Sequence, residues 1–184
     1  MTTPRRRLAR LLASVEMARA YTTCALLAVF GSFAIGAFTS SATRNTIIAV
    51  LCVIGVWILW VRRDELSPLR IAPSTRLAFL AWTLASAVWS TASAATLKAW
   101  AALAGYAVIA IVVGHIRDTL QTVRALGDAL RILLAASLIA EVMSGILLDM
   151  PFRFLGIQGR IAEFGPVQGI FGTRNLLGFV AVIA

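Results

Sequence analysis

Between Asp149 and Arg174 a glycine-rich stretch of an otherwise apolar sequence holds three arginines, Arg153, Arg160 and Arg174. A guanidinium keeps its charge and presents a planar fork of donors, so grouped arginines point to a phosphate or pyrophosphate held by bidentate bonds. Gly165, Gly169 and Gly172 would let backbone approach such an anion closely. Asn175 is placed to cap a following helix, whose N-terminal N–H groups and positive dipole would face the same ligand. Lys98, between two other apolar runs, is a weaker candidate. The plainer alternative is that these cations snorkel to lipid phosphates while their stems lie on apolar surface. Glu141 stands apart, inside the apolar run Ile132–Leu148. An ionised acid at mid-membrane depth costs about 3 kcal/mol on insertion scales. It is either a functional acid or an internal hydrogen-bond acceptor that ties helices together.

The elements that must carry these residues follow from composition. The 184 residues are 60% hydrophobic and 14% charged, with mean hydropathy +0.88. A soluble domain carries about 25% charged residues, so lipid must solvate much of this surface. A bilayer-crossing helix needs about 20 apolar residues. Ala20–Thr43, Asn45–Val61, Leu77–Leu97 and Ala99–Gly114 carry no charge, and Ile132–Leu148 carries only Glu141. These gaps predict an all-α polytopic transmembrane bundle with five complete spans, near 21–38, 46–61, 77–92, 99–114 and 131–148. A sixth span starts at 175–184, where ten residues rise only about 15 Å. That half-span predicts that the chain is the N-terminal part of a longer membrane domain. The first run is longer than the 7–15 residues of a signal-peptide core, so no cleavage is expected.

The net charge of +9 would suit a nucleic-acid partner, but its distribution sets topology instead. With the N-terminus in the cytoplasm, the inner segments hold 12 basic residues, Arg5, Arg6, Arg7, Arg10, Arg19, Arg62, Arg63, Arg70, Arg76, Arg117, Arg124 and Arg131. The outer segments hold 5, Arg44, Lys98, Arg153, Arg160 and Arg174. Inner loops of membrane proteins collect Lys and Arg, so 149–174 is expected to be an outward loop. Residues 5–19 and 115–131 read as amphipathic segments on the cytoplasmic surface, the alternative for the second being an extension of the helices on either side. Pro68 and Pro73 mark a polar loop between spans. Cys24 and Cys52 fall inside spans without clustered His, so neither a disulfide nor a metal site is expected. His115 is assigned to the cytoplasmic side.

The stretch "QGIFGTRNLLG" (168–178) resembles the Gly-x-Phe-Gly-x-[Lys/Arg/Pro]-Asn-x-x-Gly signature of the O-antigen ligase and polymerase superfamily, in its exopolysaccharide-production-like branch. Gly169, Phe171, Gly172, Asn175 and Gly178 match. "VWSTASAATLKAW" (88–100) echoes a Trp-Ser at the outer end of an early span. The chain departs from the family at Val167 and Gln168, where an Arg is frequent, and at Thr173, where a related branch has His. The resemblance implies glycosyl transfer at the outer face of the cytoplasmic membrane, without metal or cofactor. The donor would be an undecaprenyl-pyrophosphate-linked glycan and the acceptor a sugar or lipid-sugar. Arg153, Arg160, Arg174, Asn175 and Lys98 would bind the donor, and the catalytic His would lie beyond residue 184. A rival reading is a transporter or flippase of an anionic glycolipid, and a third is a non-catalytic membrane scaffold.

Overall fold

The computed structural model describes residues 14–63 and 74–184. The basic stretch Arg5–Arg10, most of the segment 5–19, and Pro68, Arg70 and Pro73 lie outside the described residues. Within them the chain is 82% helical with no strand. The helices are α1 (Val15–Phe30), α2 (Ser32–Phe38), α3 (Ser41–Val61), α4 (Ser74–Ala85), α5 (Ser93–Ile116), α6 (Thr119–Val142) and α7 (Arg174–Ile183). Five complete spans were expected. Among the described residues three helices are long and apolar enough to cross a membrane, or four if α1 and α2 form one bent span.

The shortfall has local causes. α1 and α2 meet at 71° across Gly31. A Gly-Ser pair, here Gly31–Ser32, is a common site of sharp kinks. The expected span 77–92 is helical only as far as α4 reaches, and α4 has just 12 residues, about 18 Å. There the hydroxyls compete for backbone groups. Thr83 Oγ1 donates to the Phe79 and Leu80 carbonyls at 3.0 Å, and Ser86 Oγ to the Thr83 carbonyl at 2.7 Å. The chain then tightens into a 3-10 turn at Ser86–Val88. By contrast, 119–147 is one continuous helical rod of 29 residues, α6 plus a π-turn at Met143–Leu147. It runs through much of 115–131 and of the expected span 131–148.

The residues divide into two units, 1–21 with 48–119, and 22–47 with 120–184. In the first, α3 and α5 pack through small residues. Gly105 lies against Ile48 and Cys52, and the Cys52 thiol donates to the Gly105 carbonyl at 3.3 Å. Gly55 leaves room for the Tyr21 ring, whose hydroxyl donates to the Leu51 carbonyl at 3.0 Å. Small residues at helix crossings are how apolar helices associate where no water drives them together. Ile58 and Val112 are fully buried there. Trp100 Nε1 donates to the Leu80 carbonyl at 2.9 Å, tying α5 to α4.

The second unit has a different core. Ala34 of α2, Leu130 and Leu133 of α6 and Val180 of α7 pack with Leu155, Ile157, Ile170 and Phe171, which all come from the irregular segment 149–173. That segment is folded on its own apolar residues, in three 3-10 turns at Arg153–Leu155, Ile161–Glu163 and Gly169–Phe171.

Candidate functional site

The site is built from one face of the continuous rod formed by α6 and the π-turn that follows it. Ser137, Glu141, Ser144 and Gly145 recur at i, i+4, i+7 and i+8 and therefore share that face. All four are buried, and Glu141 is only 2% exposed. A carboxylate taken out of water must find donors. Glu141 Oε1 accepts from the backbone N–H groups of Gln168 (3.0 Å) and Gly169 (2.9 Å). One turn earlier, Ser137 Oγ accepts from Ile170 N–H at 2.9 Å. Three consecutive amides of the 168–170 turn are thus held by two side chains of one helix. Successive N–H groups in such a turn form a concavity that suits an oxygen acceptor, and here that acceptor is the chain's own Glu141 Oε1.

Ser144 fixes the other end of the segment. Its hydroxyl donates to the Met150 carbonyl at 2.5 Å, and its own carbonyl accepts from Met150 N–H at 2.9 Å. The same widening of the helix lets Leu148 N–H reach the Met143 carbonyl at 2.9 Å, the π-type bond. Asp149 then turns the chain with φ 47°, a left-handed conformation that Asp tolerates better than most residues.

Two motif glycines are explained by this packing. Gly169 has φ +55°, and a Cβ on it would overlap the Ser137 hydroxyl. Gly172 has φ +74°, and a Cβ there would come within 2.7 Å of the Phe33 ring. The close approach expected of these glycines is therefore made to the protein's own α6 and α2. Gly178 of α7 has no heavy atom within 4 Å of an added Cβ, so no packing within the described residues requires it. Phe171 is buried in the core.

Between the two anchored ends lies a cleft of about 390 Å³ lined by Pro151, Arg153, Gly156, Ile157, Gln158 and Arg160. Arg153 and Arg160 are brought together here by a tight reversal. Ile157 N–H donates to the Phe152 carbonyl at 3.2 Å, and Gly156, at φ +72°, donates to the Arg153 carbonyl at 3.1 Å. Gln168 closes the back of this turn, its Nε2 donating to the Gly156 carbonyl. No carboxylate is among the lining residues, and among the described residues none pairs with Arg153 or Arg160. The cleft can hold a multivalent oxyanion between two forked donors.

The other sequence candidates lie elsewhere. Arg174 and Asn175 are exposed in the first turn of α7 and do not line the cleft. The cap of α7 is Thr173, whose Oγ1 accepts from Leu176 N–H at 3.3 Å. Asn175 was expected to cap and instead lies inside the helix. Gly172, left-handed against Phe33, delivers Thr173 in the extended conformation that a cap requires. Lys98 is exposed in the first turns of α5, in the first unit. His115 Nδ1 sits 2.7 Å from the Ile111 carbonyl of its own helix. Cys24 and Cys52 are free thiols. Among the described residues no group of three or more His, Cys, Asp or Glu could hold a metal ion.

Sequence reasoning did not single out Ser137, Ser144 or Gly156, and marked Gln168 only as a departure from the family motif. A signal existed for the first two, since polar residues spaced four and three apart inside an apolar run mark one buried polar stripe. For Gly156 and Gln168 there was none, because their contact spans 12 residues of irregular chain. No protein-family model, curated protein or solved structure matches the chain.

Proposed function

We propose that the protein is a membrane glycosyl-transfer component that holds a polyprenyl-pyrophosphate-linked glycan donor, in the manner of O-antigen ligases and polymerases, with residues 149–174 at the outer face of the cytoplasmic membrane. The observation that carries this reading is the cleft in which Arg153 and Arg160 meet without a carboxylate, directly before the 168–178 motif. A pyrophosphate leaving group gains charge as the glycosidic bond breaks, so preformed guanidinium donors stabilise the transition state more than the ground state. In the same segment Phe154 is half exposed and Phe164 fully exposed, which offers apolar contact to a polyprenyl chain. Arg174 and Asn175 remain candidates for the donor's remaining polar groups, and Lys98 a more distant one. The acceptor is a hydroxyl of a sugar or lipid-sugar.

The test is glycan transfer in membranes containing the protein as its gene encodes it, with labelled lipid-linked glycan as donor. Arg153→Ala with Arg160→Ala should lower the rate by about 100-fold, since each charge-assisted contact is worth about 1.5–3 kcal/mol and 1.4 kcal/mol is tenfold. Arg44→Ala, outside the cleft, should leave the rate unchanged. Equal rates in all three proteins refute the reading. An impermeant maleimide should label Gln158→Cys in intact cells, and protection of that position would refute the orientation.

A second reading draws on the break between α1 and α2. Discontinuous helices bent at a glycine are a device of transporters. Movement of labelled lipid-linked glycan across vesicles, without release of the glycan from its carrier, would favour it.

A further inference from the structure

We propose that Gln168 and Glu141 are positioning residues for the arginine cleft, acting through the turn at Gly156. The inference rests on the reading of that cleft as an anion site. The contacts form an unbroken chain. Glu141 Oε1 holds the backbone N–H of Gln168 at 3.0 Å, and the Gln168 side-chain amide donates to the Gly156 carbonyl. Gly156 and Gly159 are the two left-handed residues between Arg153 and Arg160; Gly156 N–H donates to the Arg153 carbonyl at 3.1 Å, and Gly159 lies against Ser144. A Cβ on Gly156 would meet Gln168 Nε2 at 2.5 Å, so the turn and the amide are fitted to each other. Arg153 opens this turn and Arg160 follows its exit after Gly159, so the turn at Gly156 is one of the two bends that place the two arginines on one cleft.

The chemistry divides the roles. Glu141 is used as an acceptor of two N–H bonds, a task that a glutamine carbonyl can also perform. Gln168 is used as a donor to a carbonyl, which a glutamate cannot replace and a leucine cannot imitate. Neither residue lines the cleft. Their effect on a bound anion is thus indirect and passes through backbone geometry.

The experiment uses the full chain in lipid nanodiscs, with inorganic pyrophosphate as the probe. Amide hydrogen exchange is followed in peptides covering 153–160 and 168–172. Glu141→Leu should speed exchange in both peptides and weaken pyrophosphate binding by about fivefold to tenfold, the weight of one or two buried hydrogen bonds. Glu141→Gln should restore both to within about twofold of the parent. Gln168→Leu should loosen 153–160 and weaken binding by about fivefold, while Gly169 and Ile170 stay protected by Glu141 and Ser137. Because Gln168 is only partly buried, this variant stays informative should Glu141→Leu not fold. Arg153→Ala with Arg160→Ala should abolish binding without speeding exchange at 168–172. If the arginine variant binds like the parent, the anion reading itself fails. If the arginine variant loses binding but Gln168→Leu does not, the cleft stands and the positioning role is overturned. Loss of binding in Glu141→Gln with 168–172 still protected would also overturn it, by showing that the charge rather than the acceptor geometry matters.

Discussion

The two units use glycine for opposite purposes. In the first, Gly55 and Gly105 let apolar helices lie close, with Tyr21 and Cys52 each bonded to a carbonyl of a neighbouring turn or helix. In the second, Gly169 and Gly172 adopt left-handed backbone so that an irregular segment can seat on polar side chains of α6 and on Phe33. In the first arrangement the close neighbours at Gly55 are side-chain ends, the Tyr21 hydroxyl and a Val112 methyl, and the tyrosine can swing aside more readily than the buried valine. The second is fixed on both sides, by backbone conformation and by a buried hydrogen-bond cluster. The difference lies in what each arrangement can hold in place. A helix crossing supplies a frame, whereas an irregular segment pinned at Ser137, Glu141 and Ser144 can hold two like charges in one place.

Substitutions separate the two cases. Gly169→Ala should have the largest effect, about 3 kcal/mol or more of lost stability, because it forces a Cβ into the Ser137 hydroxyl at positive φ. A fall in the thermal unfolding midpoint in detergent would show it, and a parent-like midpoint would contradict the packing. Gly55→Ala should cost less, about 1–3 kcal/mol, and Tyr21→Ala in the same protein should recover part of that loss by removing the crowded ring. Additive losses in the double variant would mean that the two do not touch. Thr173→Ala should cost about 1 kcal/mol through the lost cap of α7, visible as faster amide exchange at Leu176. Gly178→Ala should be the mildest, neutral or stabilising by about 0.5–1 kcal/mol, because the added methyl meets open space and lowers the entropy of the unfolded chain. Gly169 and Gly178 belong to one motif, so the contrast between their alanine variants separates an internal packing requirement from any other reason for glycine.

Much of the helical frame was legible in the charge gaps. α3 and α5 largely cover two uncharged runs, and the second half of α6 falls in the nearly uncharged run Ile132–Leu148, since only a helix satisfies its own backbone inside lipid. That α6 begins already at Thr119, across Arg124, Asp128 and Arg131, was not read from the gaps. The failures arose where local hydrogen bonding overrides hydropathy. Thr83 and Ser86 end α4 early, and the Gly31–Ser32 step bends the first apolar run. Glu141 was conspicuous, but its partners were not, because Gln168 and Gly169 lie 27 and 28 residues away across a folded irregular segment. The cap of α7 was misassigned for a related reason. Thr173 and Asn175 are both good caps by type, and the choice is made by Gly172 packing on Phe33. Of the arginines, sequence proximity grouped three, while the turn at Gly156 brings only Arg153 and Arg160 to one cleft.

The central claim is that this cleft binds a pyrophosphate carried on a polyprenol. The most direct measurement is the affinity of undecaprenyl pyrophosphate for the full chain in nanodiscs, compared with undecaprenol, which lacks the anion. The parent should bind the pyrophosphate form more tightly by about 100-fold or more, as two charge-assisted contacts of about 1.5–3 kcal/mol each require. Arg153→Ala with Arg160→Ala should erase that preference while leaving undecaprenol binding intact. Equal affinity of the parent for the two lipids, or an undiminished preference in the double variant, would contradict the account.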